Sequence, residues 1–129
     1  MVRLWLAFPP SVNMLFKDVN VRGIRRRALS KQYKVWSRGA HATLLLKNLR
    51  PFTVPVVLQL ELVPPNRVRR DCSNYVKAVE DELVKARILL GDDARYVKAV
   101  AVWWAEPSKD RPGVSVTIRP AKVADQEPG

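Results

Sequence analysis

Asp71, Asn74 and Lys77 follow one another at intervals of three residues in the run Arg69-Arg70-Asp71-Cys72-Ser73-Asn74-Tyr75-Val76-Lys77, and the acids of Gly91-Asp92-Asp93 come some way downstream. Carboxylates on separate segments can converge on one hard cation, and Mg²⁺ takes oxygen ligands while keeping several waters. Such an ion polarises a phosphoryl oxygen and supplies hydroxide for an in-line attack. A lysine close by can meet a phosphate or stabilise developing negative charge. Each piece also has a plainer use, since an aspartate ahead of a helix serves as a cap and Gly-Asp-Asp makes an ordinary turn. Spacing by itself leaves both uses open.

The charge around these acids narrows the chemistry. Residues 1–50 carry eleven Lys/Arg against the single acid Asp18, whereas residues 51–129 carry twelve against eleven, so almost all of the net +11 lies in the first two-fifths. Segregated positive charge of this kind implies a phosphate-rich partner. Arg25, Arg26 and Arg27, with Arg22, Lys31, Lys34 and Arg38, have no acids among them and are expected to contact phosphates, each contact steepening the salt dependence of binding. Arg67, Arg69 and Arg70 flank the acids and are expected to guide a nucleic-acid backbone toward them. With one cysteine, Cys72, and one histidine, His41, the chain has no intrachain disulfide and no cysteine or histidine metal cluster. No apolar run reaches the roughly 18 residues of a membrane span, and the start is too short for a signal peptide; a reduced, cytoplasmic location is expected.

Six elements are expected to carry these residues. Leu4, Leu6 and Phe8 alternate with Arg3, Trp5 and Ala7 over residues 2–8, the period of a strand, and Pro9-Pro10 ends it because neither residue can donate to a ladder. Residues 11–29 show no clear period and read as a long basic loop. Ser30 is a plausible N-cap for a helix over 31–47, with Tyr33, Trp36, Ala40, Thr43 and Leu44 on one stripe. Residues 56–63 alternate as a strand. Val76, Val79, Leu83 and Ala86 form the apolar stripe of a second helix, with Asn74, Lys77 and Asp81 opposite, and Asp71 or Ser73 as its cap. Asp81 and Lys85 are spaced for an i, i+4 ion pair. Strands over 96–105 and 113–119 complete the order β-α-β-α-β-β, a single-domain α/β two-layer sandwich over residues 1–120 with a mixed sheet and two helices, followed by a loose tail over 121–129. Tyr33 and Trp36 are expected in the core, and Cys72 in a small buried space. Trp103 and Trp104 should face opposite ways, one of them buried; His41 has no catalytic partner in view.

Three segments together, Phe8-Pro9-Pro10-Ser11-Val12-Asn13, Arg69 to Lys77, and Asp92-Asp93-Ala94-Arg95-Tyr96, resemble the RusA family in order and spacing, over about residues 3–119. These are small homodimeric endonucleases of bacteria and phages that resolve Holliday junctions. The family's middle motif is Asp-x-Asp-Asn with a lysine three residues beyond the asparagine. Its acids bind Mg²⁺ (Mn²⁺ is a possible substitute) and its lysine is needed for cleavage. The resemblance therefore implies metal ligation by Asp71 and Asp93 assisted by Asp92 and Ser73, catalysis with Asn74 and Lys77, DNA contact near Asn13, and a four-way junction bound by a homodimer. Ser73 stands where the family has its second acid. A neutral hydroxyl is a weaker ligand than a carboxylate, and Glu80 or Glu82 could compensate, although the helical phase puts neither squarely beside Asn74. Two readings follow: a working endonuclease that tolerates serine here, which the survival of Asp71, Asn74, Lys77 and Asp93 favours, or a non-catalytic branched-DNA-binding protein of the same fold. A basic RNA-binding domain is a third.

Overall fold

The computed structural model describes residues 1–14 and 16–122, with backbone alone for 14, 16–19, 21 and 25–27. From residue 123 onward the expected tail lies outside the described residues.

Alternation places the strands as expected: β1 is Val2–Ala7, β4 Val56–Val63, β5 Val97–Trp104 and β6 Gly113–Pro120, assembled in the order β1-β6-β4-β5. β6 runs antiparallel to both β1 and β4, and β5 runs parallel to β4, which makes the sheet mixed. The two helices are α1, Lys31–Leu46, and α2, Val76–Lys85. The α2 segment crosses between the parallel strands β4 and β5, a connection that a hairpin turn cannot make.

Register joins the alternating apolar residues into rows across the sheet: Leu4, Val116 and Leu60 in one, Leu6, Val114 and Leu62 in the next, Val2, Ile118 and Leu58 in a third. On this face the core also takes Ala40 and Leu44 from α1 and Val79 and Leu83 from α2. Ser30 Oγ accepts from the Tyr33 amide at 3.1 Å, the cap expected of it. Tyr33 is 3% exposed, and Trp36 is half-buried with its Nε1 donating to the Ala7 carbonyl at 2.8 Å, which ties α1 to the end of β1.

Residues 11–29 depart from the expected loop. A 3₁₀ turn, Val12–Met14, leads into a hairpin of β2, Phe16–Val21, and β3, Ile24–Leu29, paired antiparallel in a sheet of their own. Its turn residues Arg22 and Gly23 both have positive φ, 54° and 79°, as the two-residue type I′ hairpin turn requires. The usual signal for that turn is Asn-Gly or Asp-Gly; an arginine in its first position, beside an arginine run, hides the hairpin from a sequence reading. The expected order is otherwise kept, with the hairpin inserted between β1 and α1.

Two other expectations are corrected. Asp71 is the N-cap of a separate 3₁₀ turn, Cys72–Tyr75, and makes no side-chain capping bond, while Tyr75 precedes α2, so neither Asp71 nor Ser73 caps that helix. Asp81 pairs backward with Lys77 (3.4 Å) rather than forward with Lys85. Lys85 instead donates to the Tyr33 hydroxyl at 3.1 Å and lies 3.4 Å from Glu82 Oε1. Glu82 is fully buried and also accepts from the Ser37 hydroxyl, so a buried carboxylate, which must be paired, draws the lysine across the α1–α2 contact.

Candidate active site

The 3₁₀ turn Val12–Met14 lies against both the 3₁₀ turn Cys72–Tyr75 and α2, which brings the first motif onto the second. An aromatic cluster fixes that meeting. The Phe8 ring sits edge-on to Tyr75 with centroids 5.1 Å apart and stacks on Trp104 at 6.3 Å, and Tyr75 meets Trp104 at 5.7 Å. Such rings bury large areas and hold their relative geometry. Phe8 follows β1, Tyr75 belongs to the middle motif and Trp104 ends β5, so three distant segments are locked together. Sequence reading assigned Phe8 and Tyr75 no such part; their spacing carries no signal for it. Trp104 is the more buried of the tryptophan pair, while Trp103 is 42% exposed and donates to Glu61 at 3.0 Å. Cys72 is half-buried, its thiol 3.8 Å from the Val102 carbonyl.

Above this cluster opens a cavity of about 350 Å³ lined by Ser11, Asn13, Arg69, Arg70, Asp71, Asn74 and Tyr75. Asp71 is exposed and among the described residues its carboxylate has no hydrogen bond or ion pair, while its backbone carbonyl accepts from the Asn74 amide at 3.1 Å. Lys77 falls in the first turn of α2, not two turns in, and holds Asp81 with half its side chain exposed. Ser73 is exposed and does not line the cavity.

The downstream acids are placed by a different device. A Cβ on Gly91 would come within 2.7 Å of the Tyr96 ring, so glycine is needed for the chain to pass there. Asp93 then closes a short turn, its carbonyl accepting from the Tyr96 and Val97 amides at 2.9 Å each. Its carboxylate is taken up by Arg95, through the backbone amide (2.9 Å), Nε (3.0 Å) and a terminal nitrogen (2.9 Å). These bonds from Arg95 hold the Asp93 carboxyl down at about 2. Arg95→Ala is expected to return Asp93 toward the ordinary carboxylate range, as followed by carboxyl-carbon NMR titration; an unmoved titration would mean that Arg95 is not the cause.

Asp92 is exposed and lies within electrostatic reach of Glu80. Burial first, then the charges of Asp92 and Asp81, push the Glu80 carboxyl up, with Lys77 opposing. Glu80 therefore shares the electrostatic neighbourhood of Lys77 and Asp92, whereas Glu82 is committed to Ser37 and Lys85 and is removed as a substitute for the missing acid. Among the described residues no group of three or more His, Cys, Asp or Glu side chains stands close enough to hold a metal ion. In kind, the unpaired Asp71 carboxylate and the oxygens of Ser11, Asn13 and Asn74 suit a hard cation such as Mg²⁺, which fills its remaining positions with water and phosphate oxygens.

The basic residues divide. Arg67 pairs with Glu106 at 2.9 Å, and Arg70 bonds Asn66 and Val68 while lying 5.7 Å over the Phe8 ring, so both brace the segment leading to Asp71. Arg69 is exposed at the cavity rim. Lys31 and Lys34 are exposed on the first turn of α1. The side chains of Arg25, Arg26 and Arg27 lie outside the described residues. No helix among the described residues is long and apolar enough to cross a membrane.

A family model described as endodeoxyribonuclease RusA matches residues 8–119. No curated protein matches the chain.

Proposed function

The chain belongs to the RusA endodeoxyribonuclease family, and from that membership we propose that it is a Mg²⁺-dependent endonuclease that cuts four-way DNA junctions as a homodimer. The observation that carries this reading is the cavity in which Ser11 and Asn13 meet Asp71 and Asn74 while the Asp71 carboxylate stays free of any structural partner. An exposed aspartate at the start of a 3₁₀ turn ordinarily takes a capping bond; this one keeps both oxygens available.

When bound, such an ion would supply Lewis-acid polarisation of a phosphoryl oxygen and an activated water. Asp71 would hold it, with Asp92 and Asp93 as the further acids of the site. Asn74 orients the ligands as a neutral amide. Arg69 at the rim receives the phosphodiester, and Lys77 stabilises negative charge on it. A homodimer suits a junction because two-fold symmetry presents one site to each of two opposed strands. The test is incubation with a labelled four-way junction and with the matching linear duplex over a range of Mg²⁺ concentrations. Paired, symmetric cuts in the junction are expected; an intact junction at every concentration would reject the proposal.

The neutral Ser73, together with the engagement of Asp93 by Arg95, favours one second reading, a branched-DNA-binding protein without cleavage. Ser73→Asp separates the two. In a working enzyme the added carboxylate lowers the Mg²⁺ concentration needed for half-maximal cleavage severalfold. Cleavage by Ser73→Asp alone, from an inert parent that binds junctions tightly, would establish the second reading.

A further inference from the structure

We propose that the β2–β3 hairpin is a groove-reading arm, a two-stranded ribbon that lies in the major groove of duplex DNA next to the phosphodiester held at Asp71. The inference rests on the DNA-binding reading above and adds the element and the groove.

Among the described residues the hairpin pairs only with itself and joins no strand of the main sheet. A lone two-stranded hairpin is marginally stable in water, so a ribbon of this kind gains from a surface to lie on. Its composition says which surface. Residues 16–29 hold five cations, Lys17, Arg22, Arg25, Arg26 and Arg27, against the single acid Asp18. Six residues per strand give an arm of roughly 20 Å at about 3.3 Å per residue. The major groove, about 12 Å wide and 8.5 Å deep, admits a two-stranded ribbon.

Register sorts the residues into two faces. Asn20 is paired with Arg25, Asp18 with Arg27 and, at the base of the arm, Phe16 with Leu29 on one, while Val19 with Arg26, Val21 with Ile24 and Lys17 with Ala28 make up the other. Arginine and asparagine are the residues that bond two atoms at once on the major-groove edges of guanine and adenine. The first face is thus the one suited to base edges, and the second, richer in apolar residues, is suited to lie away from them. Both ends of the arm are rooted at DNA-facing ground. β2 follows the turn that carries Asn13 into the cavity of Asp71, and β3 runs to Ser30, the cap of α1, with Lys31, Lys34 and Arg38 exposed just beyond. The ribbon thus stands in the chain between the turn that reaches the Asp71 cavity and the basic first turns of α1.

The experiment combines dimethyl sulfate footprinting, which reports guanine N7 in the major groove, with binding measured against salt, on a four-way junction and a linear duplex. The parent protein is expected to protect N7 positions along one groove face. Combined Arg25→Ala, Arg26→Ala and Arg27→Ala should abolish that protection and lower the slope of log affinity against log salt, by roughly 0.9 for each of these cations that neutralises a phosphate. The corresponding triple Arg→Lys variant, which keeps the charge, should retain the slope and so control for folding. Junction binding without N7 protection, or protection and slope unchanged in the alanine variant, would overturn the groove assignment and leave the junction reading standing. Equal protection on linear and junction DNA keeps the arm and removes the junction preference. No binding to either DNA removes both.

Discussion

Asp71→Asn is expected to lower Mg²⁺-dependent junction cleavage by about 10³-fold or more, equivalent to roughly 4 kcal/mol of barrier at 1.36 kcal/mol per decade. The reasoning starts from what the side chain does not do. Asp71 makes no capping bond and no ion pair, and the contact that involves it in local structure is its backbone carbonyl, which accepts from the Asn74 amide. An asparagine keeps that carbonyl, the side-chain volume and the turn, and loses only the negative charge. A loss of cleavage with unchanged thermal unfolding then reports ligation rather than folding. Junction affinity measured without divalent metal should hold or improve, because one repulsive charge has left a basic surface. Cleavage within tenfold of the parent would remove Asp71 from the metal site and return the weight to Asp92 and Glu80.

The second large effect falls on stability. Gly113 opens β6 opposite Ala7 of β1 and Val63 of β4, where the Trp5 ring crosses it. A Cβ there would stand 2.3 Å from a Trp5 ring carbon and 2.7 Å from the Leu6 carbonyl oxygen. The tryptophan could turn away, but the backbone oxygen belongs to the β1–β6 ladder and has no room to yield. Gly113→Val is therefore expected to cost at least about 3 kcal/mol, the upper end of ordinary overpacking and a large share of a total near 5–15 kcal/mol. Gly39, exposed within α1 with open space where a Cβ would go, supplies the contrast. Gly39→Ala should stabilise the protein by about 0.5–1 kcal/mol through helix propensity alone. Urea unfolding of the two variants and the parent checks both signs at once. A tolerated valine at 113 would show that the β1–β6 edge can part without loss.

The strong elements were readable because their signal is local. Alternation over 2–8, 56–63 and 113–119 marked three strands to within a residue or so, and the stripe of Val76, Val79 and Leu83 marked α2. The hairpin was missed because its turn depends on φ at Arg22 and Gly23, a property that an arginine does not announce. The Asp81–Lys85 pair was misjudged for a different reason. Helical spacing permits Lys77–Asp81 equally well, and the choice went to a buried carboxylate, Glu82, which lies one turn before Lys85 and competes for it.

By itself the sequence determined the chemical kinds present: an aspartate, an asparagine and a lysine in one motif, a neutral serine beside them, and cations crowded into the first fifty residues. Those are properties of single residues and short spacings, and no fold can alter them. Which acids stand together was decided only by the tertiary structure. Asp71 and Asn13 share a cavity because Phe8, Tyr75 and Trp104 pack three segments against one another, while Asp93 is held by Arg95 and the charge of Asp92 acts on Glu80. Contacts between residues far apart in the chain depend on strand order and on the packing of large side chains across it, and neither leaves a periodic trace in the sequence.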